Sequence, residues 1–266
     1  MIPSLYIEQW RAFAPWKFLP MVEQDLIISR ALVDMFNHAE VQRSLVFRGG
    51  TALNKLYINP PARYSEDIDL VQINAEPIGK TLDAIREVLD KWMGEPQRKL
   101  TERSAKLVYR YTAVDNTPAK LKIEINTTEH FNVRPVMTKL HRVDSEWFQG
   151  SAQVMTYHLD ELMGTKLRAL FQRRKGRDLF DLWYVLDKNL VDVEGVISIF
   201  EHYCQHNNEL ISRAMFEQNL FHKKQHIDFM SDMEPLLTEE VQWNFETAML
   251  LVEQEIISKI PGAGWR

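Results

Sequence analysis

A short glycine-rich segment between an apolar run and a pair of aspartates constrains this sequence more than any other feature. The apolar run Leu45–Phe47 predicts a buried strand, and Gly49, Gly50 and Thr51 follow it. A strand that turns through glycines into a helix start presents backbone N–H groups, which bind phosphate well. The Thr51 hydroxyl adds one more donor for a phosphate. We expect Thr51 also to cap a short helix over residues 52–57.

The two aspartates lie on the next predicted strand. Asp67 and Asp69 are two residues apart, so strand alternation places both carboxylates on one face while Ile68 and Leu70 point to the core. Carboxylates this close repel each other unless a cation lies between them. Oxygen ligands of this kind suit Mg²⁺, which takes one or two carboxylates together with substrate phosphates. A lone Asp-X-Asp pair is usually a solvated strand end, but the pair following a Gly-Gly-Thr turn predicts a nucleotide and metal site.

A third carboxylate occurs on a later strand. Lys122, Glu124 and Asn126 alternate along the chain and share one face. If this strand lies beside the strand of the two aspartates, Glu124 completes a three-carboxylate site that can hold two Mg²⁺ ions. Such a site activates an attacking hydroxyl and neutralises a leaving pyrophosphate. On its own, Glu124 is more simply interpreted as a surface strand residue.

Basic residues cluster in the second half of the chain. Lys166, Arg173, Arg174 and Arg177 share one broad face if a single helix runs through this region. The simpler interpretation is a solvated charged face with Arg–Asp pairs. The functional interpretation is a clamp for a triphosphate or for RNA phosphates, with Lys166 and Arg174 on the nucleotide. Asp178 would then orient a basic side chain or help to activate the acceptor.

Composition narrows the class of protein. The chain has 266 residues, 45% of them hydrophobic, which is enough for a sizeable core. Its net charge of -5 does not predict binding to nucleic acid through overall electrostatic attraction. The single cysteine, Cys204, excludes an internal disulfide framework and fits a reducing compartment. The sequence shows neither a secretory signal nor an apolar run long enough for a membrane span. We therefore expect a cytoplasmic globular protein.

Hydrophobic periodicity changes character along the chain and predicts two domains, 1–157 and 158–266. The first has an α/β pattern and the second is helical throughout. The expected elements of the first domain are helices over 21–37 and 78–93, a strand over 68–73, a hairpin of 107–113 with 121–125, and a strand over 154–157.

These motifs together resemble the AbiEii/AbiGii toxin family, a branch of the DNA polymerase β-like nucleotidyltransferase superfamily. The segments that carry the resemblance are Gly49–Leu53, Arg63–Leu70, Lys122–Glu124, Lys166 and Arg177–Leu182. The resemblance implies an α+β fold, in which a polymerase β-like core with a mixed sheet precedes a helical C-terminal domain. It also implies transfer of a nucleoside monophosphate from an NTP with Mg²⁺ as cofactor.

The resemblance implies roles for individual residues. Asp67, Asp69 and Glu124 would be metal ligands and catalytic, with Lys166 as a nucleotide contact and Asp178 as a catalytic helper. Gly49, Gly50 and Thr51 would hold the triphosphate. Members of the family act as toxins of type IV toxin–antitoxin or phage-defence systems, and some modify tRNA 3′ ends. The implied partners are an RNA acceptor and a separately encoded DNA-binding antitoxin that need not touch the toxin.

Two other functions fit the same sequence. The acceptor of the nucleotide can be a protein or a small molecule, which the acidic net charge slightly favours over tRNA. The chain can also be a non-catalytic nucleotide-binding module, although the intact set of carboxylates argues against this. The stretch from Ala52 to Glu66 is long for the superfamily, and the region after about residue 190 carries no motif that we can assign.

Overall fold

Alternating apolar residues in the first half of the chain build a mixed seven-stranded sheet. The computed structural model describes residues 2–266 and divides into two units, Met1–Tyr157 and His158–Arg266. The strands of the first unit are β1 (Leu45–Arg48), β2 (Asp67–Gln72), β3 (Gln97–Leu100), β4 (Ser104–Thr112), β5 (Pro118–Asn126), β6 (Met137–Ser145) and β7 (Phe148–Thr156). Their order across the sheet is β3-β4-β5-β2-β1-β7-β6.

Five helices belong to the first unit. They are α1 (Ser4–Trp10), α2 (Leu19–Phe36), α3 (Ala39–Ser44), α4 (Gly49–Leu56) and α5 (Gly79–Met93). The helices α2 and α5 confirm the expected helices over 21–37 and 78–93 within two residues. Both bury apolar residues at helical spacing, and Leu26, Leu32 and Leu82 are fully buried. The core of this unit therefore comes from the periodic segments of the sequence.

Strand pairing places the predicted site near the middle of the sheet. β2 pairs antiparallel with β1 on one side and parallel with β5 on the other. The predicted hairpin is confirmed, since β4 and β5 pair antiparallel along their full length. Since β2 carries Asp67 and Asp69 and β5 carries Glu124, this order brings the two motifs onto neighbouring strands. The α+β class with a mixed sheet is confirmed.

The second unit is helical. Its helices are α6 (Leu159–Gln172), α7 (Gly176–Asp187), α8 (Val193–His206), α9 (Arg213–Lys223), α10 (Ile227–Ser231) and α11 (Phe245–Glu255), with short 3-10 turns at Glu234–Leu236 and Ile257–Lys259. Cys204 is buried in α8. Over residues 2–266, no helix has both the length and the apolar character needed to cross a membrane.

The broad basic face expected of one continuous helix does not form. Helix α6 ends at Gln172 and α7 begins at Gly176, so Lys166 and Arg177 lie on different helices. Arg173 and Arg174 lie in the connection between the two helices and are exposed. The helix is interrupted because Arg173 and Lys175 both adopt an extended backbone conformation.

One buried histidine gives the fold a testable pH dependence. His141 in β6 is 7% exposed, and burial lowers its pKa to about 4. Because the folded pKa lies below the unfolded value of about 6.5, the unfolded chain binds more protons between these values. The free energy of unfolding therefore falls as the pH drops from about 6.5 towards about 4, by roughly 3 kcal/mol in total.

We expect His141→Phe to lose this part of the acid sensitivity. Denaturant unfolding at about pH 7 and about pH 5 should show a decrease in stability that is about 2 kcal/mol larger for the wild type than for the variant. Equal decreases in the two proteins would show that His141 does not stay neutral in the fold.

Candidate functional site

Three carboxylates lie on adjacent strands in the positions that the sequence predicts. Asp69 on β2 lies opposite Glu124 on β5, and Asp67 lies opposite Lys122. The side chains of Asp67 and Glu124 are partly exposed, whereas Ile68 between the aspartates is fully buried. The alternation of β2 thus presents both aspartates on one face of the sheet. Ile68, which lies between them, packs in the core on the opposite face and holds this part of the strand in place.

Two lysines contact these carboxylates. The Nζ atom of Lys122 lies 2.7 Å from Oδ2 of Asp67 and 3.5 Å from Oε2 of Glu124. Lys106 on β4 lies opposite Glu124 and places its Nζ 2.7 Å from Oε1 of that residue. Burial opposes the charged form of Lys122, but the hydrogen bond to Asp67 raises the pKa of the lysine overall. Burial likewise opposes ionisation of Glu124, and Lys106 and Lys122 still lower its pKa.

The donor set allows a test of the metal that the motif implies. Among residues 2–266, no three side chains of His, Cys, Asp or Glu converge closely enough to hold one ion together. Asp67 and Asp69 nevertheless supply two oxygen donors on one face, and an ammonium group already contacts Asp67. Two carboxylates completed by substrate phosphates are a usual Mg²⁺ site. The aspartates therefore fit Mg²⁺, whereas both oxygens of Glu124 contact lysines.

The glycine turn lies directly against the carboxylate face. Gly49 has a φ of +82°, and a Cβ atom at this position would come within 2.6 Å of Oδ2 of Asp69. A Cβ atom on Gly50 would collide with the guanidinium of Arg63. Position 49 thus requires glycine both for its backbone conformation and for its close approach to Asp69. Position 50 requires glycine only because Arg63 packs against it. This contact joins the two motifs of the sequence in space.

Gly49→Ala should damage both the fold and the site. A left-handed conformation costs a non-glycine residue about 1–2 kcal/mol, and the new methyl group displaces the Asp69 carboxylate. We expect the free energy of unfolding to fall by about that amount and nucleotide transfer to fall at least about tenfold. Gly79→Ala is the matched control, because its added Cβ meets no atom within 4 Å and its φ is not positive. Equal behaviour of the two variants in unfolding and transfer assays would contradict this account.

Helix α4 holds the turn and the following loop through polar side chains. The side chain of Asn54 donates to the Gly50 carbonyl at 3.0 Å and accepts from the backbone N–H groups of Ala62 and Arg63. Arg63 is 1% exposed and donates to the carbonyl of Tyr64. The long connection between α4 and β2 is therefore fixed where it passes the turn.

Thr51 differs from its predicted role as a helix cap. Helix α4 begins at Gly49, so Arg48 occupies the capping position and Thr51 lies inside the first turn. The Thr51 side chain is buried, and its hydroxyl lies within hydrogen-bond distance of Ser65 Oγ and of the Asp67 carbonyl. The Thr51 hydroxyl thus connects the first turn of α4 to the start of β2.

Arg48 lies at the candidate site and is not predicted from the sequence. It lies opposite Asp69 in the β1–β2 pair, and its Nη1 donates to Oε2 of Glu129 at 2.9 Å. Burial opposes its charge, but Glu129 and, more weakly, Asp69 raise the pKa of Arg48. Asn126 also donates to Glu129, at 3.2 Å. Only the strand register brings Arg48 to Asp69 and Lys122 to Asp67, and register cannot be obtained from the spacing of one motif.

A second cluster of charges lies in the helical unit. Lys166 is buried, with its Nζ 3.1 Å from Oδ1 of Asp178 and 2.8 Å from Oδ2 of Asp181. Arg173 donates to both oxygens of Asp178, at 2.6 and 2.8 Å. Burial opposes ionisation of Asp178, but Lys166 and Arg173 hold its pKa well below the usual range. Asp178 thus orients two basic side chains, which is one of the two roles that the sequence allowed.

A buried lysine adjoins this cluster. The ammonium of Lys223 donates to the carbonyls of Leu170 and Phe171 at the end of α6. Burial lowers the pKa of Lys223 to about 8, although Asp178 acts in the opposite direction. Its position at the end of α6 stabilises the connection that carries Arg173 and Arg174. This contact cannot be predicted from the sequence, because Lys223 and the end of α6 are far apart in the chain.

Gly49 at the start of α4 thus contacts Asp69, and Glu124 lies opposite Asp69 across the parallel pair of β2 and β5. The chain belongs to the family described as nucleotidyl transferase AbiEii toxin of type IV toxin–antitoxin systems, whose model matches residues 30–250. It is accordingly a nucleotidyltransferase of a toxin–antitoxin family, which implies a nucleotide substrate and an antitoxin partner.

Solved structures share this fold at low sequence identity. MenT4, a nucleotidyltransferase toxin from Mycobacterium tuberculosis H37Rv, is 15% identical with a TM-score of 0.65, and the match covers 98% of this chain and 91% of MenT4. JHP933 from Helicobacter pylori is 19% identical with a TM-score of 0.51, over 89% of this chain and 90% of that one. No curated protein matches the sequence significantly.

Proposed function

We propose that this chain transfers a nucleoside monophosphate from an NTP to RNA, with tRNA as the expected acceptor, as the toxin of a phage-defence system in the cytoplasm. The observation that carries the proposal is the contact between Gly49 and Asp69, because it places the helix start against the carboxylates. A triphosphate bound at the N–H groups of Gly49 and Gly50 lies beside Asp67 and Asp69. That arrangement supports in-line displacement of pyrophosphate by an acceptor hydroxyl.

Asp67 and Asp69 would hold Mg²⁺ in this reaction. When bound, Mg²⁺ neutralises charge on the phosphates of the leaving pyrophosphate. Arg48 supplies a further positive charge at the same strands and is held in place by Glu129. Glu124 is the proposed third carboxylate, and its pairing with Lys106 and Lys122 restrains its side chain.

The helical unit would supply phosphate contacts. Arg174 is the proposed phosphate contact of this unit. Lys166, for which the sequence suggests the same role, is buried against Asp178 and Asp181 and would act with Asp178 in positioning the basic side chains. Arg174 and Lys175 are exposed, and Arg173 exposes 48% of its side chain while it is anchored on Asp178. Exposed cations on a short fixed connection favour binding of phosphates, either in a nucleotide or along RNA.

The acceptor can be determined by incubating the protein with total RNA, a lysate protein fraction and a small-molecule fraction, each with one labelled NTP at a time. The proposal predicts that label enters RNA, concentrated in tRNA. Label in the protein fraction or the small-molecule fraction instead would show that the acceptor is a protein or a small molecule and not RNA. NTP binding without label in any fraction would favour the non-catalytic alternative.

Lys122 should compete with Mg²⁺ for Asp67. A partly exposed ion pair of this kind is worth up to about 1 kcal/mol, so Lys122→Met should reduce the Mg²⁺ concentration for half-maximal transfer by up to about fivefold. Lys120→Met is the control, since Lys120 lies two residues earlier on the same face of β5 and is exposed. An unchanged or higher Mg²⁺ requirement in Lys122→Met would argue against metal binding at Asp67.

A further inference from the structure

A cavity of about 370 Å³ lies beside α4 in the first unit, and it shares Thr51 with the residues expected to bind the nucleotide. Trp10, Phe13 and Trp16, from α1 and the segment before α2, form an aromatic wall, and side chains of α2, α4 and β6 complete the lining. Asp67 and Asp69 are not part of it. The volume lies within the range of pockets that bind small organic ligands.

The aromatic wall is held in place by one buried carboxylate. Asp25 accepts hydrogen bonds from Nε1 of Trp10 at 2.8 Å and from Nε1 of Trp16 at 3.0 Å. Lys55 completes the group, with its Nζ 2.5 Å from Oδ1 of Asp25. The indoles are therefore fixed in advance of binding. Phe13 packs on Trp10 with 4.9 Å between ring centroids, yet it is 56% exposed and offers a ring face for stacking.

The charge of the lining favours an anion. Lys55, Arg63 and Arg142 are cationic, and Asp25 is the single carboxylate among the lining residues. Arg142 on β6 is exposed and is one of the lining residues, so it lies at the rim of the cavity. An anionic group near Lys55 and Arg142 gains from the excess of positive charge.

The third feature is an acceptor that is buried in the cavity wall. Nε2 of His141 is buried and has no hydrogen-bond partner among residues 2–266. Burial keeps the ring neutral, and in the tautomer with the proton on Nδ1 the Nε2 atom is an acceptor. A buried acceptor of this kind is normally paired, so an N–H group of a ligand would satisfy it.

We infer that this cavity binds a nucleotide. Phe13 stacks on the base, Nε2 of His141 accepts a hydrogen bond from a base N–H group, and Lys55 with Arg142 holds the phosphate. Planar rings with N–H donors and a linked anion are the chemistry that matches all three features. The ligand is either a free nucleoside monophosphate or the terminal nucleotide of an RNA. Nucleotide binding here does not require that Asp67 and Asp69 catalyse transfer.

The test is equilibrium binding of the four nucleoside monophosphates and of a short single-stranded RNA to the full chain, in the presence of a metal chelator. We expect binding by the wild type and by Asp69→Asn. His141→Phe and Arg142→Gln should each weaken binding by about tenfold, as expected for loss of one hydrogen bond in a charged site. Phe13→Ala and Arg142→Gln change exposed residues and leave the fold intact if His141→Phe does not fold.

Arg110→Gln on β4 is the matched control for Arg142→Gln, because both arginines are exposed on strands of the same sheet. Binding of free nucleotides identifies a monophosphate ligand, and binding of RNA alone identifies a terminal nucleotide; either result supports the inference. No binding of any of these ligands overturns it. Binding that is lost in Asp69→Asn but kept in Arg142→Gln and Phe13→Ala also overturns it. Failure of transfer with intact binding would count against the proposed function only.

Discussion

Asp69→Asn should reduce nucleotide transfer by about a thousandfold while the protein remains folded. The substitution keeps the shape of the side chain against Gly49 but removes one of the two charges on the shared face of β2. Loss of a group that stabilises charge in the transition state typically costs a hundredfold to a thousandfold, that is, roughly 3–4 kcal/mol. A charge that also helps to hold the metal belongs at the upper end of that range.

The same substitution should leave stability nearly unchanged. Asp67 and Asp69 repel each other, so removal of one charge relieves repulsion and offsets the loss of attraction to Arg48. Thermal unfolding and transfer of label from an NTP measure the two effects separately. Glu66→Gln is the matched control, since Glu66 is an exposed carboxylate just before the start of β2. If Asp69→Asn transfers nucleotide at a rate within about threefold of the wild type, the Asp69 carboxylate does not take part in the reaction.

Lys166→Met should have the largest effect on stability. Lys166 is the cation shared by Asp178 and Asp181, which are both buried. Its removal leaves Asp178 with Arg173 and takes a close cation away from Asp181. Removal of one partner from a buried ion pair typically costs about 3–5 kcal/mol, because the remaining charge stays buried. We expect the free energy of unfolding to fall by that amount, with loss of transfer activity.

A second substitution distinguishes the buried charge from lost packing. Lys166→Met with Asp181→Asn removes the uncompensated carboxylate and should recover part of the lost stability. Lys188→Met is the control, because Lys188 forms an exposed pair with Asp187 in the same unit, and its loss should not change unfolding measurably. No recovery in the double variant would show that Asp181 is not ionised against Lys166.

Strong local signals made much of the first unit predictable. The apolar run Leu45–Phe47, the alternation around Asp67 and Asp69, and the turn within the β4–β5 hairpin each specify an element from a few adjacent residues. Two edge strands, β3 and β6, were not predicted. All four residues of β3 are exposed, and β6 buries little besides His141 and Val143, so neither strand has the apolar alternation of a half-buried strand.

The ion pairs of the site could not be predicted for a different reason. Lys122 contacts Asp67 because β2 and β5 pair in parallel with one register, and a shift by one residue would turn every side chain to the other face. Lys223 reaches the end of α6 only through the packing of the helical unit. The sequence thus identified the carboxylates and the glycine turn, whereas the cations around them depend on tertiary structure.

The central claim is that the glycine turn and the aspartates of β2 transfer a nucleoside monophosphate. The most direct test supplies each NTP labelled at either the α-phosphate or the γ-phosphate, with total RNA and Mg²⁺, to the wild type and to Asp69→Asn. The account predicts that the α-label enters the acceptor and that the γ-label leaves as pyrophosphate, with both events lost in the variant. Transfer of the γ-label to the acceptor, or equal α-label transfer by Asp69→Asn, would contradict it.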